Sequence, residues 1–155
     1  MKLTMLGTGN ALVTECYNTC FVIEQQNAGQ NFFLGEDYEF ITNTINSLNG
    51  RIHLVIGNHD TPAKVEFYKK FDNIVEISWA TQIKYNKRQF YLSHYPTQTA
   101  DLNSDPKTCV FNIYGHVHSK EKFYEDRPYM YCVALDAQDN KPVNRAGLSG
   151  DPGRD

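Results

Sequence analysis

Five histidines are the side chains of this chain best suited to carry chemistry, and the most informative of them lies in residues 52–60, IHLVIGNHD. An apolar run stopped by Gly57 predicts a buried strand of an α/β sheet. Asn58, His59 and Asp60 then lie at its carboxyl end, where open α/β sheets bind ligands. These three side chains can serve as metal ligand, proton carrier and orienter of that carrier. Taken alone, the tetrapeptide GNHD at residues 57–60 fits an Asx-type turn with a solvated histidine equally well.

Three other histidines follow later strand-forming runs. His94 comes just before a Tyr-Pro pair, and His116 and His118 follow the run 110–114. Alternation in an extended segment puts the last two on one side, and neutral imidazole is the commonest metal ligand. Each could alone be a packing or loop residue, but their shared position at strand ends favours a metal site. His53 lies inside an apolar strand and is assigned to packing.

The elements that must position these residues alternate between strands and helices. The spacing of Phe40, Ile41, Ile45 and Leu48 predicts an amphipathic helix over residues 37–48. A proline at position 62 suits the first turn of a second helix, over residues 62–70. Strands are predicted at residues 1–6, 20–24, 31–34, 52–56, 74–77, 82–85, 89–93, 110–114 and 129–135.

Composition limits the possible classes of protein. The 155 residues suffice for one domain with a sizeable core, and 41% hydrophobic with 21% charged residues is typical of a globular chain. A net charge of -3 gives no electrostatic reason to expect nucleic acid or an anionic membrane as partner. No apolar stretch approaches the length of a membrane span, and the N-terminus lacks the apolar region of a secretory signal.

The four cysteines form no CxxC pair. Cys109 and Cys132 lie in apolar runs, where a thiol behaves as a small hydrophobe. Cys16 and Cys20 have metal-ligand spacing but no matching second pair. All four are interpreted as reduced and structural, which predicts a cytoplasmic protein.

Three blocks in a fixed order carry a resemblance to a known family. GNHD, SHYP and YGHVHS resemble the calcineurin-like metallophosphoesterases, and most of all their small bacterial and phage members. The resemblance covers residues 35–143 and includes VALDAQDNKPV, which is similar to the family's closing strand and turn. It implies an α/β fold, a trimmed form of that family's sandwich of mixed β-sheets with flanking helices. The implied activity is hydrolysis of a small phosphomonoester or phosphodiester by metal-activated water.

The resemblance also implies roles for single residues. His59 would be the general acid, and Asp60 would orient it. The implied cofactor is one or two divalent ions, and the ligand types do not choose among manganese, iron, zinc and nickel. The implied metal ligands are Glu36, Asn58, His94, His116 and His118.

The chain departs from this family at its start. The family's first strand carries an Asp-x-His motif, and no such tripeptide occupies that position here. Glu36 stands where a metal-bridging aspartate is expected, unless Asp37 fills that place. The second ion would then keep only His118 and the bridge, which predicts weak binding and low activity at micromolar metal. The alternative is a non-catalytic descendant that binds metal or nucleotide.

Residues 1–34 resemble something else, the first hairpin of metallo-β-lactamase-fold hydrolases of the ribonuclease Z group. That group's His-x-His-x-Asp-His motif is absent from the chain, so a hydrolase of this type is the least favoured function. The Gly-Thr-Gly at residues 7–9 is interpreted as a plain turn. The predicted organisation is a hairpin segment at 1–34 packed on the same domain, a phosphoesterase domain at 35–143 and a disordered tail at 144–155.

Overall fold

The computed structural model describes the chain in nine segments: residues 2–6, 20–25, 38–48, 50–85, 87–101, 103–105, 108–117, 119–138 and 143–144. Its strands and helices are, in chain order, β1 (Lys2–Leu6), β2 (Cys20–Gln25), α1 (Tyr38–Ser47), β3 (Arg51–Val55), α2 (Pro62–Tyr68), β4 (Ile74–Ser78), β5 (Ala80–Tyr85), β6 (Arg88–Ser93), β7 (Phe111–Tyr114), β8 (Met130–Cys132) and β9 (Val143–Asn144). Short 3-10 turns lie at Tyr124–Asp126 and Leu135–Gln138.

The strands form two mixed sheets. The first has the order β4-β3-β2-β1-β9, in which β3 and β4 are parallel and the other pairs are antiparallel. The second has the order β5-β6-β7-β8, in which β6, β7 and β8 are parallel and β5 is antiparallel to β6. Two sheets with two helices confirm the predicted α/β class.

Strand β3 is covered on both faces, as its apolar sequence predicts. Ile52 and Leu54 are fully buried in a core cluster with Ile41 and Ile45 of α1. Val55 points the other way, into a cluster built mainly from the second sheet. We call α1 and α2, which pack on the Ile52 and Leu54 side of β3, the helical layer. The carboxyl end of β3 therefore lies between the helical layer and the second sheet.

The N-terminal strands continue the sheet of β3. β1 and β2 pair as an antiparallel hairpin, and Cys20 of β2 lies opposite Val55 of β3. The other edge of β1 pairs with β9, where Thr4 lies opposite Asn144, one residue inside the predicted tail. The predicted strand at 31–34 and residues 145–155 lie outside the described residues.

Other sequence expectations have mixed outcomes. Both predicted helices are present, and strand β8 ends at Cys132 rather than at residue 135, because the chain turns there into a 3-10 helix. Cys109 and Cys132, in the described part of the chain, are reduced. Cys16 lies outside the described residues. Within the described segments, every helix is too short or too polar to cross a membrane.

His53 was expected to serve packing, but it forms an ion pair instead. It lies directly opposite Glu76 in the parallel β3–β4 pair, with its Nδ1 2.7 Å from a carboxylate oxygen. Burial acts to raise the pKa of Glu76. Hydrogen bonds from His53 and Thr81, together with the charge of His53, outweigh burial and hold that pKa below its ordinary value of 4.5.

This ion pair gives a prediction about acid stability. Because the folded-state pKa of Glu76 is lowered, its stabilising contribution is present above pH 4.5 and is lost as pH falls through the folded-state value. Glu76→Gln should therefore flatten the dependence of the melting temperature on pH below the ordinary value of 4.5. Glu66, whose side chain is 70% exposed and pairs with Lys69, provides the matched control Glu66→Gln. A pH profile of Glu76→Gln identical to that of the wild type would contradict the assignment.

Candidate metal centre

Three strand ends from the two sheets meet at one edge of the protein. Asn58 follows β3, His94 follows β6 and His116 follows β7. β6 and β7 are parallel neighbours, so their carboxyl ends share an edge. The backbone N–H of Gly115 donates to the carbonyl of His94 at 3.1 Å and ties these two ends together. Three of the predicted ligands are thus brought together.

His94 lies at the centre of this group. Its Nε2 is 2.6 Å from Oδ1 of Asn58 and 3.0 Å from Nδ1 of His116. The His94 side chain is almost fully buried, with 1% exposure, whereas Asn58 is exposed and His116 half-buried. The group therefore has a buried floor and an opening to solvent.

The distances among these three atoms suit a shared cation better than a shared proton. A neutral imidazole has a single N–H. If His94 donates, one hydrogen must serve both neighbours, and if His116 donates, the oxygen of Asn58 faces a lone pair of His94. Two ligands bound at right angles to a metal at about 2.1 Å lie about 3.0 Å apart, which matches the 3.0 Å separation of the two imidazole nitrogens.

The backbone at His116 is held in a strained conformation. Its φ is 60°, in the left-handed region that disfavours residues with a side chain. The N–H of Val117 donates to the carbonyl of Gly115 at 2.6 Å, so His116 is the central residue of a left-handed γ-turn. Such turns are rare, and residues held in them concentrate at functional sites. Here the turn directs Nδ1 of His116 toward His94.

A buried polar network positions the loop that carries His94. Asn112 on β7 is fully buried, and its amide donates to the carbonyl of Tyr91 at 3.1 Å and to Oγ of Ser93 at 2.8 Å. Its Oδ1 accepts the backbone N–H of Thr97 at 2.9 Å. The hydroxyl of Ser93 donates in turn to the carbonyl of Tyr95 at 2.8 Å. Asn112 therefore fixes the backbone on both sides of His94, a role that the sequence analysis did not find.

Removing this amide should loosen His94. Asn112→Ala is expected to weaken binding of a divalent metal about 10- to 100-fold, the usual effect of losing a group that orients a ligand. It should also lower the free energy of unfolding by about 1–3 kcal/mol, because buried partners lose their hydrogen bonds. Calorimetric titration with zinc measures the first effect.

A second asparagine separates the two effects. The amide of Asn73 donates to the carbonyls of Ile45 and Leu48 at the end of α1, in the helical layer. Asn73→Ala should destabilise the fold while leaving metal affinity as in the wild type. Wild-type metal affinity in Asn112→Ala would contradict the positioning role.

The turn after β3 is fixed by its own carboxylate. Asp60 accepts the N–H of Gly57 at 2.7 Å through one oxygen and the hydroxyl of Tyr68 at 3.1 Å through the other. Lys64 is buried, and its Nζ lies 3.5 Å from the carbonyl of His59. These contacts hold the backbone of His59, a half-buried residue beside Asn58. The role of Asp60 in orienting the imidazole stays a prediction.

The residue types fit a metal, although the described residues give only part of a ligand set. Two imidazoles and an amide oxygen are suitable donors for zinc, manganese, iron or nickel. Within the described segments, no three residues among His, Cys, Asp and Glu are grouped to hold a metal, and the group here is two histidines with an asparagine. Glu36 and His118, two other predicted ligands, lie outside the described residues, as does Asp37.

Comparisons with known proteins give a fold relationship. No protein-family profile matches the chain, and no curated protein is significantly similar to it. A crystal structure of a protein of unknown function from Aquifex aeolicus is similar, with a TM-score of 0.52 and 24% sequence identity. The match covers 77% of this chain and 70% of that chain. At this identity the likeness shows a shared fold alone.

Proposed function

We propose that this protein is a metal-dependent phosphoesterase of the calcineurin-like type, with a trimmed form of that family's sandwich. The observation that carries the proposal is that Nε2 of His94 lies within 3.0 Å of both Oδ1 of Asn58 and Nδ1 of His116, at the ends of three strands. These are the positions that the GNHD, SHYP and GHVH blocks assign to metal ligands. The strained backbone at His116 supports the same site.

Asn58, His94 and His116 would hold the first ion, with Glu36 contributing a carboxylate. A divalent ion at this place would supply a Lewis acid that polarises the phosphoryl group and lowers the pKa of water. Because Asn58 is exposed, a small phosphoester would approach the group from this side. His118 and Glu36 would hold a second ion more weakly, because the Asp-x-His ligands are missing.

His59 would supply the proton that the leaving group needs. It follows Asn58 directly, so its imidazole is carried by the same rigid turn that presents a metal ligand. Protonation of the departing alkoxide by a positioned imidazole avoids release of a strong base into solution. Asp60 would keep the turn, and through it the imidazole, in place.

Hydrolysis of bis(p-nitrophenyl) phosphate tests the proposal. We expect turnover that rises with manganese concentration, disappears with chelator and returns when metal is restored. Asn58→Ala should lose this activity, and His53→Gln serves as control because His53 lies in the first sheet and pairs with Glu76. Metal binding without turnover would instead support the non-catalytic metal- or nucleotide-binding alternative. Failure to bind metal would contradict the phosphoesterase and leave only a nucleotide-binding descendant.

A further inference from the structure

We propose that this site selects phosphoesters whose organic part carries a flat aromatic ring, and that Tyr95 and Trp79 hold that ring. The inference rests on the proposed function and names its substrate class. The shared chemistry is a planar ring close to the phosphate, as in a nucleotide or an aryl ester. Neither aromatic side chain is among the proposed metal ligands.

Tyr95 covers one side of the candidate metal centre. Its ring centroid is 4.8 Å from that of His94 and 4.5 Å from that of His116, in edge-to-face arrangements. The residue is nonetheless 45% exposed, so much of its surface faces solvent. Its carbonyl accepts hydrogen bonds from Ser93 and Thr97, which fix its backbone. A rigid, half-exposed ring thus adjoins both imidazoles.

Trp79 lies at the same edge, where the chain crosses from the first sheet to the second. On one side, the carbonyl of Ser78 accepts the N–H of Ile56, two residues before Asn58. On the other, Ala80 lies opposite Ser93, the residue before His94. Residue 79 is therefore next to both strand ends that supply ligands.

Packing in the core does not explain Trp79, because its side chain is largely exposed. The residue is 65% exposed, more than Tyr38, Val75 and Tyr95, the other exposed large apolar residues whose burial the structure describes. An indole left in water at the rim of a polar site offers a face on which a ring can stack. Two exposed aromatic rings beside one site provide stacking surfaces for a substrate ring while its phosphate reaches the metal ligands.

Fluorescence gives a direct readout, because Trp79 is the sole tryptophan of the chain. With zinc present and excitation at about 295 nm, where indole dominates absorption, AMP and phenyl phosphate should quench the emission saturably, since stacking brings their rings onto the indole. Ribose 5-phosphate carries the phosphate without a ring and should bind with little quenching. We expect the ring to tighten binding roughly 5- to 150-fold, the range for one stacked base. If AMP binds and phenyl phosphate does not, the substrates are nucleotides. If both bind, the site accepts any phosphoester that carries an aromatic ring.

Matched variants locate the effect. Tyr95→Ala should abolish the preference for AMP over ribose 5-phosphate, and Tyr95→Phe should keep it because stacking needs the ring. Tyr38, which is 44% exposed and contacts Phe67 in the helical layer, gives the control Tyr38→Ala. Trp79→Leu, followed by calorimetry, should lose the preference as well.

Two outcomes would overturn the inference. One is equal affinity of the wild type for AMP and ribose 5-phosphate, and the other is an unchanged preference in Tyr95→Ala. Either result, obtained with an enzyme that still hydrolyses bis(p-nitrophenyl) phosphate, would reject the selection of aromatic substrates but not the proposed phosphoesterase function. Absence of that hydrolysis would reject the proposed function instead, so the two failures are distinguishable.

Discussion

His94→Ala is expected to weaken binding of a divalent metal by more than about 100-fold, beyond the loss usual for a residue that only orients a ligand. The reason is its central position, since its Nε2 lies within 3.0 Å of the proposed metal-ligand atoms of both Asn58 and His116. Phosphoesterase activity should fall with the metal. Calorimetric titration with manganese or zinc, together with metal analysis of the purified protein, measures the loss.

Because His94 is almost fully buried, its removal also leaves a cavity. Asn58→Ala avoids this complication, since Asn58 is exposed and should lose metal affinity with little loss of stability. His53→Gln removes a histidine from the first sheet and should bind metal as the wild type does. The same affinity in His94→Ala as in the wild type would contradict the assignment of this ligand.

His59→Ala should slow turnover roughly 10²–10⁴-fold on an ester with an alkoxide leaving group, the usual contribution of general acid catalysis. The loss should be much smaller for p-nitrophenolate, which leaves without a proton. Metal content should stay at the wild-type value, because His59 is not among the proposed ligands. Turnover numbers for a methyl ester and a p-nitrophenyl ester of the same phosphate measure the difference.

Two results would contradict this role. Equal losses on both esters would show that His59 does not donate the proton. A loss of bound metal in His59→Ala would show that the residue acts as a ligand or supports one. Tyr68→Phe provides a control for the turn, because it removes the hydroxyl that Asp60 accepts and leaves the imidazole in place.

The helices and the site strands could be predicted because their signals are local. The spacing of Ile41 and Ile45 shows which side of α1 meets the core, and both residues are fully buried. The ends of β3, β6 and β7 are marked in the sequence by glycine, proline or a polar block. Three candidate ligands at three such ends were enough to predict that Asn58, His94 and His116 meet.

Contacts that depend on strand register could not be predicted. His53 was assigned to packing because its own strand is apolar, whereas its partner Glu76 becomes visible only when β3 and β4 are aligned. The sequence did contain a signal for this contact, because His53 and Glu76 are each a titratable residue within an apolar strand. Asn112 poses the same problem, since its contacts with Tyr91 and Ser93 follow from the β6–β7 pairing.

The N-terminal region shows a further limit. The pairing of β1 with β9 joins residues 4 and 144, and β9 has only two residues, too few for a periodic pattern. The aromatic residues at the rim were also missed, because exposure is a property of the fold. Tyr95 was read only as part of the motif around His94, and nothing in the sequence distinguished Trp79 from a core residue.

Imidazole nitrogen resonances provide the most direct test of the metal site. In a titration of the nitrogen-15-labelled protein with zinc, we predict that two nitrogens shift together, Nε2 of His94 and Nδ1 of His116. His53, paired with Glu76 in the first sheet, should keep its shifts and serves as an internal reference. Zinc-induced shifts confined to other histidines, or no imidazole shift at saturating zinc, would contradict a metal centre at these three strand ends.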